Sequence, residues 1–385
     1  MNTARIAIVG GGLSGLYAAY LLEKKGIDYV LLEARHRIGG RIQSVASNGS
    51  KPLLGMKTSV DRFDLGPSWF WPDFQQQLSQ LVEELELERF AQFEDGDMMV
   101  ERSANEAPIR TRSYVNSPTS MRLLGGMSAL TDALYQRLDP KRVLTGHKVR
   151  QLRKTEQAIE LNSELDFELD FEANNQDDSK ETTWSASHVL LAMPPRLVEH
   201  NIEFIPALPQ DLVKQWRATA TWMAPHAKYF AVYDTSFWRE QGLSGSANSA
   251  RGPLTEIHDA TAPGGHAALF GFFGIPPHVR QSVSVDELKR HCLAQLVRLF
   301  GIQAETPVAD FFKDWSQDPF TATTIDAKSD GQHATTPPSK ATTGLWQDHL
   351  VGIASEWSRQ FPGYVAGAIE AASLGVQALT EEITK

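Results

Sequence analysis

The chain has 385 residues, of which 42% are hydrophobic and 22% are charged, a composition typical of a globular protein with one or two domains. Its formal net charge of -10 disfavours nucleic acid and anionic membranes as partners, because both would be repelled. Cys292 is the single cysteine, which excludes an intrachain disulfide and a cysteine-based metal site.

The sequence also contains no targeting or metal-binding motif. The amino terminus reads MNTARIAIVGGG, which has no basic segment followed by an apolar core, and the chain has no run of about 18 apolar residues. We therefore expect no signal peptide, no membrane partner and a cytoplasmic location. The 11 histidines form no H-x-x-x-H or H-x-H pair, so we expect no bound metal.

The first residues predict a strand–turn–helix–strand unit. Residues 5–9 (RIAIV) are an apolar run of the kind found in buried parallel strands. Residues 13–25 repeat apolar side chains at helical spacing, and Gly26 follows as a helix-ending glycine. The apolar run Tyr29–Glu33 completes a βαβ unit.

Apolar spacing predicts further elements along the rest of the chain. Predicted helices cover residues 74–87, 125–138, 285–300 and 363–379. Predicted strands cover a β-meander at 149–191 with a turn at 174–180, and residues 189–192, 228–233, 267–273 and 350–353. Residues 332–343 predict a surface loop. We expect two discontinuous domains, a nucleotide-binding domain (1–75, 121–200 and 346–385) and a second domain (76–120 and 201–345).

Residues 10–15 (GGGLSG) fit the G-x-G-x-x-G pattern of a phosphate-binding turn between a buried strand and a helix. Gly10 permits the tight turn, Gly12 lets the backbone approach a pyrophosphate, and Gly15 lets the helix pack closely on the strand. Leu13 and Ser14 lie at the positive end of the helix dipole, where backbone amides can bind phosphate.

Glu33 ends the second strand, 18 residues after Gly15. A carboxylate there can accept hydrogen bonds from the hydroxyls of an adenosine ribose, and it disfavours the 2′-phosphate of NADP. The alternative is a purely structural turn followed by an exposed glutamate.

The pattern E-x-x-x-R-x-G-G-R runs from Glu33 to Arg41 and resembles the flavin-containing amine oxidase (monoamine oxidase-like) family. The resemblance implies close approach of the glycine backbone to FAD and a guanidinium of Arg41 near the pyrophosphate. The residues of this run that we expect at the cofactor are Ala34, Arg35, Gly39, Gly40 and Arg41.

Other segments resemble motifs of the same family, in the same order, along nearly the whole chain. Residues 64–69 (DLGPSW) resemble the segment under the isoalloxazine ring, residues 125–127 (GGM) a helix start beside the cofactor, and residues 189–195 a V-I-x-A-x-P-P strand. Val149 falls where the family's valine meets the adenine. Residues 352–356 and 363–368 resemble the carboxyl-terminal G-T-E…S-G-Y-x-x-G-A signature. Further cofactor contacts implied by the resemblance are Leu65, Gly66, Pro67, Ser68, Trp315, Ser355, Glu356, Gly363, Tyr364 and Val365.

The resemblance implies an α/β fold with a Rossmann-like FAD-binding domain of the glutathione-reductase and amine-oxidase type and an interleaved α+β substrate domain. It also implies an FAD-dependent oxidoreductase whose partners are a small-molecule amine and O2. The amine would become an imine by hydride transfer to flavin N5, and oxygen would become hydrogen peroxide.

Lys228 and Tyr364 are the catalytic candidates. Residues 228–233 (KYFAVY), followed by FWR at 237–239, resemble a monoamine oxidase strand in which Lys228 would hold a water against N5 and assist flavin reoxidation. Tyr364 would be one wall of an aromatic cage that orients the amine. The alternatives are a solvated lysine at a strand start and a tyrosine of the core.

The chain departs from the family at the cage and at the flavin link. The second cage tyrosine should lie ten residues after Trp315, where this chain has Ile325. Thr324 stands where covalent monoamine oxidases carry the flavin-linking cysteine, and Cys292 lies in a predicted helix, so we expect non-covalent FAD. Residues that could replace the missing wall are Trp69, Trp71 and Phe361.

Two other functions stay open. The same fold could serve a renalase-like dihydronicotinamide oxidase or a desaturase; Lys228 argues against both, and the missing cage wall argues for them. FAD could also be structural in a non-catalytic redox-sensing module. A monomer and a homodimer are equally compatible with the sequence.

Overall fold

The computed structural model describes residues 2–48, 61–114, 116–165, 181–328 and 335–383. The predicted turn at 174–180, the part of the β-meander between residues 166 and 180, and the first residues of the predicted 332–343 loop lie outside these ranges.

Most of the described chain is organised around two large sheets. The described strands, in chain order, are β1 (Asn2–Val9), β2 (Tyr29–Glu33), β3 (Ser44–Ala46), β4 (Arg62–Asp64), β5 (Arg89–Ala91), β6 (Asp97–Glu101), β7 (Ile109–Arg112), β8 (Met121–Leu123), β9 (Val143–Thr145), β10 (His147–Lys154), β11 (Ile159–Leu165), β12 (Glu181–Leu191), β13 (Glu203–Ile205), β14 (Ala227–Tyr233), β15 (Leu243–Ser249), β16 (Leu254–Asp259), β17 (Ala267–Phe273), β18 (Ala309–Asp314) and β19 (Leu350–Gly352).

Helices pack on the faces of these sheets. They are α1 (Leu13–Lys24), α2 (Gln76–Glu84), α3 (Ser128–Tyr135), α4 (Pro195–Asn201), α5 (Gln210–Ala218), α6 (Phe237–Glu240), α7 (Pro277–Arg280), α8 (Val285–Phe300) and α9 (Val365–Ile383). The helix predicted at 125–138 begins later, because Gly125 and Gly126 have φ values of +81° and +74°, which a right-handed helix does not accept.

The first sheet has the strand order β13-β10-β11-β12-β1-β2-β9, and β19 pairs with β12. Strands β12, β1 and β2 run parallel, with Val9 opposite both Leu32 and Leu191, and β19 runs parallel to β12. The carboxyl ends of these four strands therefore meet at one edge. In open parallel sheets, ligands bind outside this edge.

Strand β1 is buried on both faces, which explains its continuous apolar sequence. Ile6 and Ile8 pack in a cluster with residues of α1, α3 and α9. Ala7 and Val9 pack in a second cluster with residues of β10, β11 and α5. Helices on both faces hold the parallel strands, and thus their common edge, in place.

The second sheet has the order β18-β14-β17-β16-β15-β6-β7. Tyr229 and Ala231 of β14 pack in a cluster with residues of α8, whereas Phe230 and Val232 pack in a cluster with Phe63 and other residues on the opposite face. Lys228 shares the face of Phe230, since side chains two residues apart in a strand point the same way.

The predicted division into two discontinuous domains stays a prediction. β13 lies past the predicted boundary at residue 200 and pairs with β10 of the first sheet. Within the described residues, no helix is both long and apolar enough to cross a membrane.

Candidate active site

Two glycines of the turn after β1, Gly10 and Gly15, leave no room for a side chain. Gly10 has a φ of +112°, and a Cβ there would lie 2.8 Å from the carbonyl oxygen of Ala192. A Cβ on Gly15 would lie 2.0 Å from the carbonyl oxygen of Gly10. The first turn of α1 is therefore packed directly against the backbone of the turn that precedes it.

A second pair of glycines packs against this turn. The amide of Gly39 donates to the carbonyl of Gly11 at 2.8 Å. A Cβ on Gly40, whose φ is +58°, would lie 3.1 Å from the Cα of Gly12. The four glycines form a narrow cradle of backbone, as the E-x-x-x-R-x-G-G-R pattern implies.

The amino terminus of α1 has no cap of its own. Its N-cap residue is Gly12, which makes no side-chain capping bond, and its first turn contains no acidic residue. The first amides of a helix have no acceptor within the helix and carry the positive end of its dipole. Leu13 and Ser14 line the large cavity described below. This end of α1 suits an anionic group such as a pyrophosphate.

Glu33 lies at the carboxyl end of β2 and is 4% exposed. Its carboxylate accepts from the amide of Gly11 at 2.5 Å and from the amide of Arg35 at 2.8 Å. A small cavity of about 90 Å³ is lined by Glu33, Ala34 and Val149. The buried carboxylate excludes the alternative of an exposed glutamate, while its contact with a ribose stays a prediction.

Arg35 is held by a loop that follows Trp315. Its guanidinium donates to Asp318 at 2.6 Å and to Thr321 at 3.1 Å, and it lies 5.1 Å from the centre of the Phe320 ring. Phe320 lines the small cavity too. No family motif falls in this loop, so it was not predicted from the sequence. In the structure it adds a wall to the small cavity.

Arg41 and Glu356 form a bidentate ion pair, with nitrogen–oxygen distances of 2.6 and 3.0 Å. Ser355 accepts from the same guanidinium at 3.2 Å. The resemblance implied that Arg41 lies near the pyrophosphate and that Glu356 also contacts the cofactor. Arg41 lines both cavities, whereas Glu356 is 3% exposed and lines neither, so Glu356 positions Arg41.

A large cavity of about 930 Å³ extends from the amino terminus of α1 to the face of the second sheet. All predicted site residues line one of the two cavities except Gly15 and Glu356, which touch residues that do. Predicted residues on the large cavity are Leu13, Ser14, Gly39, Arg41, Leu65, Gly66, Pro67, Ser68, Lys228, Trp315, Ser355, Gly363, Tyr364 and Val365. Those on the small cavity are Gly10, Gly12, Glu33, Ala34, Arg35, Gly40, Arg41 and Val149.

Lys228 is 3% exposed, which excludes the alternative of a solvated lysine. Its Nζ donates to the carbonyl of Gly66 at 2.5 Å, to the hydroxyl of Ser68 at 3.1 Å and to the carbonyl of Asp64 at 3.2 Å. Burial lowers the pKa of Lys228 to about 7, against the attraction of the Asp64 carboxylate. The three oxygen acceptors satisfy the three donors of the protonated form.

The 65–68 segment is fixed from two directions. Trp315 donates through Nε1 to the carbonyl of Leu65 at 2.9 Å, one residue before the carbonyl that Lys228 binds. A Cβ on Gly66 would lie 2.0 Å from the carbonyl oxygen of Arg41, so this backbone also approaches its neighbour closely. The segment forms a rigid floor along the large cavity.

Tyr364 is paired with an aromatic residue that the sequence analysis missed. Its ring centre lies 4.6 Å from that of Trp222 at an angle of 49°, and 6.3 Å from that of Trp71 in an edge-on arrangement. All three side chains line the large cavity. Trp222 lies six residues before Lys228 in an irregular segment, so no motif spacing indicates it.

Ile325 and Thr324 are both exposed, Ile325 by 51%, and neither lines a cavity. The following residue, Asp326, is buried in an ion pair with Arg196 that anchors this segment. The aromatic side chains that contact Tyr364 are Trp222 and Trp71, of which only Trp71 was among the expected substitutes for the missing tyrosine.

The residues that line the two cavities fit FAD. At Gly11, Gly39 and Gly40 of the cradle an added Cβ would lie within 3.1 Å of another atom, the uncapped helix suits a pyrophosphate, and the large cavity continues from there to a buried lysine. Across the described ranges, no group of three His, Cys, Asp or Glu side chains could hold a metal ion. Fold and site together define the class of FAD-dependent oxidoreductases.

Comparison with known families narrows this class. A family model described as flavin containing amine oxidoreductase matches residues 103–380, and one described as an NAD(P)-binding Rossmann-like domain matches residues 8–85. The first match spans most of the chain, so the chain belongs to the flavin containing amine oxidoreductase family.

Two relatives match over most of their own length. A probable flavin-containing monoamine oxidase A of Dictyostelium discoideum is 22% identical over 82% of this chain and 84% of its own. A putrescine oxidase of Kocuria rosea is 24% identical over 86% of this chain and 87% of its own. The solved structure of a cyclohexylamine oxidase from Brevibacterium oxydans superposes with a TM-score of 0.79 at 19% identity, covering 99% of this chain and 100% of that one.

These matches confirm the predicted family, the α/β class with a Rossmann-like FAD-binding domain, and an FAD-dependent amine oxidase. They also support the prediction that FAD is held non-covalently. The single cysteine, Cys292, is fully buried among residues of α8 and β14, away from both cavities.

Proposed function

We propose that the protein oxidises a small amine to an imine in the large cavity, between the edge of the first sheet and the face of the second. FAD, which the glycine cradle, Glu33 and Arg41 would hold, would supply the redox chemistry: acceptance of a hydride from the amine α-carbon, and transfer of its two electrons to O2 to give hydrogen peroxide. The observation that carries the proposal is that the same cavity is lined by Leu13 at the α1 amino terminus and by Lys228 and Tyr364.

Lys228 assists the return of electrons to oxygen. Its ammonium is fixed by three oxygens of the 64–68 segment and needs no reorientation when negative charge develops on oxygen. A preorganised charge in a dry site stabilises such charge more strongly than a solvated one.

Trp222 and Tyr364 desolvate and orient the amine. The two rings, whose centres lie 4.6 Å apart and whose planes meet at 49°, form an angled aromatic wall. This wall attracts a cation at entry and tolerates a neutral amine afterwards. This wall is the counterpart of the cage that the resemblance implies.

A donor screen tests the proposal. Flavin of the purified protein is titrated anaerobically with primary amines (2-phenylethylamine, cyclohexylamine and putrescine), amino acids and dihydronicotinamides, and peroxide is then measured in air. Bleaching by an amine with peroxide release is expected. Bleaching by dihydronicotinamides alone would favour the renalase-like alternative, and no bleaching by any donor would favour a redox-sensing module.

The same material tests how FAD is held. Acid precipitation should leave all of the flavin in the supernatant as FAD, since Thr324 is exposed and the single thiol is buried. Flavin that stays in the protein pellet would contradict this.

We also propose a cytoplasmic location, no nucleic-acid or membrane partner, and the discontinuous two-domain division given above. The net charge of -10 supports the absence of anionic partners. Cell fractionation tests the location, and limited proteolysis with mapped fragments tests the domain division.

A further inference from the structure

Strand β16 places two titratable side chains beside Lys228. Glu256 lies opposite Phe272 of β17, which in turn lies opposite Lys228 of β14. His258 lies opposite Phe270, two residues along the same strand. Residues paired across neighbouring strands share a face, so Glu256, His258 and Lys228 all belong to the face that borders the large cavity.

His258 and Glu256 form a dyad. The imidazole Nε2 lies 2.7 Å from a carboxylate oxygen of Glu256, and the hydrogen bond lowers the pKa of Glu256. The imidazole also meets Trp69 edge-on at 4.9 Å and lies 5.4 Å from the Phe270 ring. The side chain of His258 is 20% exposed and that of Glu256 is 53% exposed, so the histidine lies against Trp69 and Phe270 and the carboxylate lies nearer to solvent.

An amine needs a base in this cavity. Aliphatic amines enter as ammonium ions at neutral pH, as lysine side chains show, and an ammonium has no lone pair to assist loss of hydride. Lys228 is buried on the same sheet face, and in its protonated form it would repel a charged substrate beside it. If the ammonium loses its proton before the amine reaches the position where it reacts, the nitrogen regains its lone pair and is no longer repelled by Lys228.

We propose that His258, oriented by Glu256, accepts the proton of the substrate ammonium as the amine passes along the second sheet, an inference that rests on the proposed function. With the Nε2 hydrogen donated to Glu256, Nδ1 of the neutral imidazole carries the accepting lone pair. The N–H bond of the ammonium breaks, its electron pair stays on the amine, and the proton forms an N–H bond at Nδ1. Glu256 stabilises the imidazolium, and the proton leaves to solvent on its exposed side.

Other charged groups on the cavity are less suited to this task. Burial lowers the pKa of His226, and the positive charges of Arg280 and Lys228 lower it further, so His226 is a poor proton acceptor. Glu94 also lines the cavity, but both of its oxygens accept from Asn116. From the neighbouring strand β15, Glu256 is faced by the neutral Asn248.

The test is the pH dependence of anaerobic flavin reduction by 2-phenylethylamine, measured by stopped flow. His258→Gln should lower the apparent second-order reduction constant at pH 7 by about a hundredfold, the low end of the effect of general bases. The loss should shrink above pH 9, where solvent already supplies neutral amine. Glu256→Gln should show a smaller loss with the same trend.

Two controls separate base catalysis from a change of structure. The β,β-difluorinated analogue of the substrate, whose ammonium loses its proton more readily, should be far less affected by His258→Gln. His291→Gln, which removes a His–Glu pair of 2.9 Å on the outer helix α8, should have no effect. An equal loss at every pH, or an equal loss with the fluorinated amine, would make His258 a structural residue and overturn the proposal.

A second readout does not depend on turnover. 2-Phenylpropan-2-amine has no α-hydrogen and cannot be oxidised, yet its nitrogen should lie against His258 when it is bound. In histidine-labelled protein, the NMR signal missing from His258→Gln should therefore shift when this amine binds. An unmoved signal with bound amine would refute the proposal, and no flavin reduction by any amine would instead refute the proposed function on which it rests.

Discussion

The two walls of the large cavity are built from different kinds of atoms. On the side of the first sheet the contacts are backbone against backbone, and a Cβ at Gly15 or Gly66 would lie 2.0 Å from a carbonyl oxygen. On the side of the second sheet they are side chains, among them Lys228 and His258. A side chain at Gly15 or Gly66 would overlap backbone atoms, whereas the residues of the side-chain wall can change one by one. We infer that cofactor binding depends on the first wall and rate and selectivity on the second.

The largest expected effect belongs to Lys228. Lys228→Met should slow reoxidation of reduced flavin by oxygen about a hundred- to a thousandfold, as loss of one preorganised donor does elsewhere. Anaerobic reduction by an amine should change much less, because hydride transfer from a neutral amine builds less charge. Stopped-flow measurement of both half-reactions separates the two. Equal slowing of both would make Lys228 a support for the 65–68 segment alone.

The unsubstituted protein should show the matching pH dependence. Because burial lowers the pKa of Lys228 to about 7, its ammonium is lost as pH rises through that value, and reoxidation should slow in the same range. The Lys228→Met rate should lack this step. Lys313→Met is the matched control, since Lys313 lies opposite Lys228 on β18 but lines neither cavity, and it should keep the step.

Gly15→Ala tests the backbone wall. The new Cβ would overlap the carbonyl oxygen of Gly10, and relief of such overlap costs up to about 3 kcal/mol, which corresponds to about a hundredfold weaker FAD binding. Titration of apoprotein with FAD measures it. Gly26→Ala, at the other end of α1 with no atom within 4 Å of the new Cβ, should leave FAD affinity unchanged. Undiminished affinity in Gly15→Ala would show that α1 can move away.

Glu33→Ala should weaken FAD binding about ten- to a hundredfold, because hydrogen bonds to charged groups contribute about 1.5–3 kcal/mol. The fold should survive, as circular dichroism can check. Part of the lost affinity will come from the two hydrogen bonds that the Glu33 carboxylate accepts from the amides of Gly11 and Arg35. FAD lacking the ribose 2′-hydroxyl separates the contributions: unsubstituted protein should discriminate against it, and Glu33→Ala should not. No discrimination by either protein would mean that Glu33 does not contact the ribose.

The difference between the backbone wall and the side-chain wall also explains which features could be predicted from the sequence. A backbone cradle demands glycine at set spacing along one short segment, so residues 10–15 and 39–40 were recognisable, and with them the fold class and FAD. Trp222 and His258 line the cavity through tertiary packing, and neither position requires one residue type. Phe320 and the Arg35–Asp318 ion pair were missed for the same reason, since residues 283 apart in the chain share no local pattern.

Trp222→Leu is expected to have the smallest measurable effect. Leucine keeps the wall apolar but removes the ring that lies 4.6 Å from Tyr364, so amine orientation should suffer while FAD binding is preserved. An aromatic pair contributes about 0.5–1.5 kcal/mol beyond its buried area, which predicts a two- to tenfold lower rate of flavin reduction. Gly363 packs against Trp222, where a Cβ would lie 3.0 Å from the Trp222 Cβ, and leucine is small enough to leave that contact intact.

Ile325→Tyr is the matched control, because it restores the family's tyrosine at its motif position. Residue 325 is 51% exposed, lines neither cavity, and precedes the Asp326–Arg196 ion pair that anchors its segment. The added ring should therefore change reduction less than twofold, alone or combined with Trp222→Leu. Recovery of the lost rate in the double variant would mean that this segment can turn into the cavity, and the second aromatic wall would then belong to residue 325 rather than to Trp222.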